Sequence, residues 1–114
     1  MADYLVLTLD CHDVDAQTAF WTGALGYVVS GGVGQYRALV HPEAGQPKLL
    51  LQGVDDPKTA KNRLHLDLHV ADVETEVARL EALGATRVRR VDEFGFFWVV
   101  MLDPEGNEFC VVPS

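Results

Sequence analysis

The chain has 114 residues, a length that suits one compact domain or two very small halves. Its 48% hydrophobic and 23% charged residues are ordinary globular composition, which excludes disorder and low-complexity tails. A formal net charge of -8, from nine Lys+Arg against 17 Asp+Glu, repels phosphate backbones and anionic lipid, so no nucleic-acid or membrane partner is expected.

The longest apolar run, Phe96 to Leu102, is too short to span a bilayer. Asp3 and Asp10 bracket the first apolar run, where a secretion signal would need basic residues, so a cytoplasmic location is expected. In that compartment Cys11 and Cys110 are expected to be free thiols rather than a disulfide.

In chain order, the first element alternates with period two. Leu5, Leu7 and Leu9 share one face, and Tyr4, Val6, Thr8 and Asp10 share the other, which predicts a half-buried strand. Asp13 then opens a helix as its N-cap, Asp15 suits the positive helix end, and Leu25-Gly26 closes it with a left-handed cap. Val14, Phe20, Trp21 and Leu25 mark the apolar stripe of this helix. Strand-like runs follow at Tyr27–Ser30, Gln35–Val40 and Lys48–Gln52, separated by turns at Gly31–Gly34 and His41–Gly45.

The second half repeats this order. Leu64, Leu66, Leu68 and Val70 alternate with His65, Asp67 and His69. Asp72 opens a helix that closes at Leu83-Gly84, with Val73, Val77, Leu80 and Leu83 at helical spacing. Runs at Thr86–Val91, Phe96–Leu102 and Glu108–Val112 follow, with Asp103-Pro104-Glu105-Gly106 as a turn. The expected fold is α+β: tandem βαβββ repeats forming a curved mixed sheet, helices on its outer face and a concave ligand cavity on the other. A single domain is expected from modules of about 1–53 and 64–114, joined by a polar linker at 54–63.

The sharpest local signal is His65-x-Asp67-x-His69 on one strand face. Such a set can ligate a metal, pair a general base with its orienting acid, or form a polar binding wall. It can equally be the solvated face of a half-exposed strand. Cys110, between Phe109 and Val111, reads first as a small buried apolar residue, with ligand or nucleophile as the alternative. Gln52 ends an apolar strand. Phe94, Phe96, Phe97 and Trp98 form an aromatic cluster whose default place is the core. The Gly31–Gly34 run matches no phosphate-cradling pattern.

The tandem βαβββ pattern, the His65…Asp72 opening and the Asp103-Pro104-Glu105-Gly106 turn together resemble the vicinal oxygen chelate superfamily of glyoxalases, bleomycin-resistance proteins and extradiol dioxygenases. The Lys61–Asp72 stretch is similar in particular to its small glyoxalase-like proteins of unassigned function. The resemblance implies a metal ligand on the first strand of each half, seven residues before the helix-opening aspartate. That position is His65 in the second half but Val6 in the first. It also implies a last-strand ligand, usually glutamate, four residues after the turn glycine. Here that residue is Cys110, while Glu108 shares its strand face two positions away. In the first half Gln52 is the ligand-capable choice, although aligning the turns favours Leu49 or Leu50.

Lost carboxylates argue against a hard octahedral metal. No cofactor is therefore expected, and any divalent metal would rest on His65, Gln52 and Cys110. The implied function is binding of a small organic molecule in the concave face. His65, Asp67 and His69 would make polar contacts, Val6, Thr8, Trp98 and Val100 would line the walls, and Gln52 and Cys110 would reach the ligand. The alternative is a lyase or isomerase, metal-free or weakly metal-dependent, with His65 as acid or base and Asp67 orienting it. Pairing into a homodimer is expected, with Phe20 or Trp21 as an anchor if exposed.

Overall fold

The computed structural model describes residues 1–114. The chain divides into two units, Met1–Pro57 and Lys58–Ser114, with the boundary inside the expected linker. Each unit is a βαβββ module with one helix and one four-stranded mixed sheet, and neither sheet is closed.

In the first unit, β1 (Val6–Cys11) is followed by α1 (Val14–Leu25), β2 (Val28–Val33), β3 (Tyr36–Val40) and β4 (Lys48–Gly53). The sheet order is β1-β4-β3-β2, with β1 parallel to β4 and the other pairs antiparallel. The Asp13 carboxylate accepts a hydrogen bond from the Ala16 N–H at 3.0 Å, satisfying one of the free amides of the first turn. Gly26 closes the helix at φ 70°, a conformation that costs a side-chain-bearing residue about 1 kcal/mol or more. The core gathers Phe20 and Trp21 of α1, in edge-to-face contact at 5.0 Å, against Leu39, Leu49 and Leu51. These two aromatics are only 2% and 1% exposed, so α1 offers no aromatic anchor for a second copy.

The second unit repeats the layout with β5 (Leu66–Val70), α2 (Val73–Leu83), β6 (Thr86–Glu93), β7 (Phe96–Leu102) and β8 (Glu108–Pro113), in the order β5-β8-β7-β6. Asp72 caps α2 through the Thr75 N–H at 3.1 Å, and Gly84 closes it at φ 119°. Val77 and Leu80 of the helix pack with Val99, Met101, Phe109 and Val111, all fully buried or nearly so. Leu83, expected in this stripe, is the last helical residue and stays 40% exposed. No helix is long and apolar enough to cross a membrane.

Three expectations about local structure are corrected. Leu5 and Leu64 lie outside their strands and are exposed, because the parallel ladders begin only at Val6 with Lys48 and at Leu66 with Phe109. The Gly31–Gly34 run is not a turn throughout. Strand β2 continues through Gly31 and Gly32, and the chain reverses at Gly34 with φ 55°. The aromatic cluster is not core: Phe94 and Phe96 are exposed, and Phe97 lies under the Arg90 guanidinium at 3.9 Å. The cause is the length of the β6–β7 hairpin, whose tip from Phe96 to Trp98 runs past the end of the β8 pairing at Val99.

Candidate functional site

Period-two alternation gives the second sheet two distinct faces. Phe109, Val111, Val99 and Met101 point into the core beneath α2. The intervening residues turn the other way and line a cavity of about 390 Å³. Its polar wall comes from His65, Asp67 and His69 on and just before β5, and its apolar wall from Trp98 and Val100 of β7. Cys110 lies between them, directly opposite Asp67 on one side and Val100 on the other.

His65 Nε2 stands 3.3 Å from an Asp67 carboxylate oxygen. One donor atom each from His65, Asp67 and Cys110 lies within 4.8 Å of the others. Burial pushes the Cys110 thiol up to about 11, aided by the negative charge of Asp67 and a hydrogen bond to it. Lys61 and Arg89 pull in the opposite direction but do not prevail. At neutral pH Cys110 is therefore a protonated thiol, unsuited to act as a nucleophile. Cys11 is also a buried thiol outside any disulfide, and its Sγ donates to the Gln52 carbonyl oxygen at 3.7 Å.

Glu108, the one carboxylate on β8, is committed elsewhere. It accepts hydrogen bonds from the Asn62 N–H at 2.7 Å and the Lys58 ammonium at 3.0 Å. Burial acts to raise its pKa, but these hydrogen bonds outweigh burial and hold the carboxyl below its ordinary value. Glu108 thus ties the Lys58–Asn62 segment to the start of β8 at the cavity's edge.

The remaining predicted residues belong to the first unit. Val6 pairs with Lys48, Thr8 with Leu50, and Gln52 with both Asp10 and Tyr36. Because Thr8 faces Leu50 as Asp67 faces Cys110, Leu50 holds the position equivalent to Cys110. Gln52 lies two residues further along β4.

Three cavity residues escaped the sequence reading, Lys61, Arg89 and Val112. Arg89 is placed by a β-bulge. Arg87 pairs with Met101 and Arg89 with Val100, leaving Val88 as the extra residue. Met101 points to the core side and Val100 to the cavity, so the bulge sends the two arginines to opposite faces. Arg87 reaches Glu74 of α2 at 2.7 Å, whereas Arg89 lines the cavity. Strict alternation would have put both on the helix side.

The superfamily resemblance implies a divalent metal. One imidazole, one carboxylate and one thiol suit a thiophilic ion such as zinc, held by His65, Asp67 and Cys110. A hard ion would find only the Asp67 carboxylate, since Glu108 is engaged with Lys58 and Asn62.

A family model described as a glyoxalase-like domain matches residues 6–112. No curated protein matches the chain significantly in sequence. Among solved structures, a glyoxalase/bleomycin resistance protein/dioxygenase family enzyme from Burkholderia phytofirmans PsJN superposes with a TM-score of 0.81 at 21% identity, covering 98% of each chain. A mutant of the fosfomycin resistance protein FosX from Listeria monocytogenes, complexed with Mn(II) and 1S,2S-dihydroxypropylphosphonic acid, gives 0.81 at 17% identity over 98% of this chain and 90% of that one. A glyoxalase/bleomycin resistance protein from Albidiferax ferrireducens T118 gives 0.72 at 15% identity over 99% of both. At these identities the likeness is one of fold.

Proposed function

This chain belongs to the glyoxalase-like domain family of the vicinal oxygen chelate superfamily, and from that premise we propose that it binds a small organic molecule on the open face of its second sheet. The observation that carries this reading is the cavity of about 390 Å³ in which His65, Asp67 and His69 converge opposite Trp98 and Val100. Its size falls within the range of small-molecule sites, and several polar groups there converge beside an apolar wall.

We read the binding as independent of a metal, in contrast to the Mn(II) complex of the Listeria protein. Ligation by Cys110 would have to displace its thiol proton, and Glu108 is already paired with Lys58. A thiophilic ion, when bound, would supply Lewis acidity to a ligand oxygen. Elemental analysis after incubation with zinc, nickel, iron or manganese tests this point. Stoichiometric metal that is lost in His65→Ala would contradict the metal-free reading.

The His65–Asp67 contact favours a second reading, a lyase or isomerase. Asp67 orients the imidazole through Nε2, which leaves Nδ1 to exchange a proton with a bound substrate. The two readings separate at His65→Ala. Binding that survives with turnover abolished supports the enzyme, while unchanged turnover of a bound compound rules out acid–base catalysis by His65. Pairing of two copies belongs to the same reading, and exposed apolar side chains available for it include Val28, Val29 and Val33 of β2 and Phe94 and Phe96 at the β6–β7 turn.

A further inference from the structure

The chain carries 17 acidic residues against nine Lys+Arg. Five of the nine sit in ion pairs: Arg37, Lys58, Arg79, Arg87 and Arg90. The other four, Lys48, Lys61, Arg63 and Arg89, have no carboxylate partner, and two of these line the cavity of the second unit. Lys61 and Arg89 are both exposed there, open to a ligand. The fold places Arg89 by a dedicated device, the β-bulge at Val88 that turns it away from the acidic residues of α2.

The acidic groups of the cavity cancel this charge only in part. Glu108 is already paired with Lys58, and Asp67, in contact with His65 and the Cys110 thiol, forms no ion pair with Arg89 or Lys61. Two cations thus face one carboxylate that is not already paired with a lysine or arginine. Beside them lie Trp98 and Val100, an aromatic face and an apolar wall. A guanidinium next to an indole suits a carboxylate attached to a flat apolar body.

We propose that the molecule bound here is an organic anion, its carboxylate paired with Arg89 and Lys61 and its apolar part laid against Trp98 and Val100. This rests on the reading of the cavity as a small-molecule site and adds the chemical class of the ligand.

Benzoate and its neutral isostere benzamide are suitable probes, titrated at fixed ionic strength. Trp98 lines the cavity and Trp21 is buried in the first unit, so a change in intrinsic fluorescence reports on Trp98. Benzoate is expected to bind more tightly than benzamide. Arg89→Gln is expected to weaken benzoate by about tenfold to a hundredfold and to leave benzamide unaffected. Lys61→Gln should weaken benzoate less, since a flexible ammonium gives no bidentate pair. Lys48→Gln, another unpaired cation but on β4, should change nothing. Benzamide binding as tightly as benzoate would overturn the proposal while leaving the cavity a small-molecule site. So would a benzoate affinity that is indifferent to Arg89→Gln, or no benzoate binding at millimolar concentration. The small-molecule reading itself fails only if a broad fragment library gives no ligand on this face.

Discussion

The two βαβββ units use the same backbone devices but carry different chemistry on their open faces. Each helix has an aspartate N-cap and a left-handed glycine at its end, and each second strand carries a bulge near its start. Their ladders agree in pattern, with the first strand parallel to the last. Side chains at matching places nevertheless differ. Val6 stands where the second unit has His65, Thr8 where it has Asp67, and Leu50 where it has Cys110. At the bulge, Gly31 pairs with Ala38 where Arg89 pairs with Val100. The core and caps thus define the module, while the side chains of the open face differ freely between the two units. The second unit alone brings an imidazole, a carboxylate, a thiol and a guanidinium together on that face.

The comparison breaks most visibly at the two tryptophans. Trp21→Ala removes a fully buried side chain and is expected to cost about 3–5 kcal/mol in chemical denaturation. Trp98→Phe should leave the denaturation midpoint nearly unchanged and instead weaken ligand binding, because Trp98 lies at the cavity wall. A large loss of stability from the second substitution would make Trp98 a core residue and remove the contrast.

The caps should show where the units are alike. Asp13→Ala and Asp72→Ala each delete one hydrogen bond to the first turn, and each is expected to cost about 1 kcal/mol. Equal losses support two equivalent modules. These caps were legible in the sequence because aspartate, apolar stripe and glycine all act within one helix. The strand alternation was legible for the same local reason, so the shared face of Asp67 and His69 followed from period two alone.

What the sequence did not reveal depends on partners in the ladder. Leu5 and Leu64 continue the alternation but have no neighbouring strand, so they are exposed. The bulge at Val88 is a feature of strand pairing, and without it Arg89 reads as a helix-side residue beside Arg87. Lys61 was overlooked in a polar connector whose path is set by Glu108 fifty residues away in the hydrogen bond to Lys58. Phe94 and Phe96 looked like core because aromatic content says nothing of hairpin length.

A smaller effect sharpens the bulge comparison. A Cβ at Gly31 would meet nothing within 4 Å, whereas one at Gly32 would come within 2.9 Å of the Tyr36 carbonyl oxygen. Gly31→Ala should therefore be neutral or raise stability by about 0.4–1 kcal/mol, and Gly32→Ala should lower it. Melting temperatures of the two variants check the order. Two equal losses would mean that the bulge itself requires glycine, contrary to Val88-Arg89 in the second unit.

The subtlest test is pH. Cys110 is held above its ordinary value of 9.0, at about 11, in the folded chain. Below pH 9 the thiol is protonated in both states and adds no pH dependence. Between pH 9 and about 11 the unfolded chain loses this proton first, so the Cys110 contribution to stability falls as pH rises. In a Cys11→Ala background, alkylation by iodoacetamide should stay slow through pH 9 and accelerate towards 11. Rapid labelling at neutral pH would reveal a thiolate and restore Cys110 as a nucleophile.

We propose above that ligands bind on the open face of the second unit. Amide chemical-shift mapping by NMR, with a fragment library titrated into the ¹⁵N-labelled chain, locates the bound ligand. Ligand shifts are expected to concentrate at Asp67, His69, Arg89, Val100 and Cys110, with Thr8, Gly31, Ala38 and Leu50 of the first unit unmoved. Shifts centred on the first-unit residues, or no fragment that moves the second-unit set, would contradict this proposal.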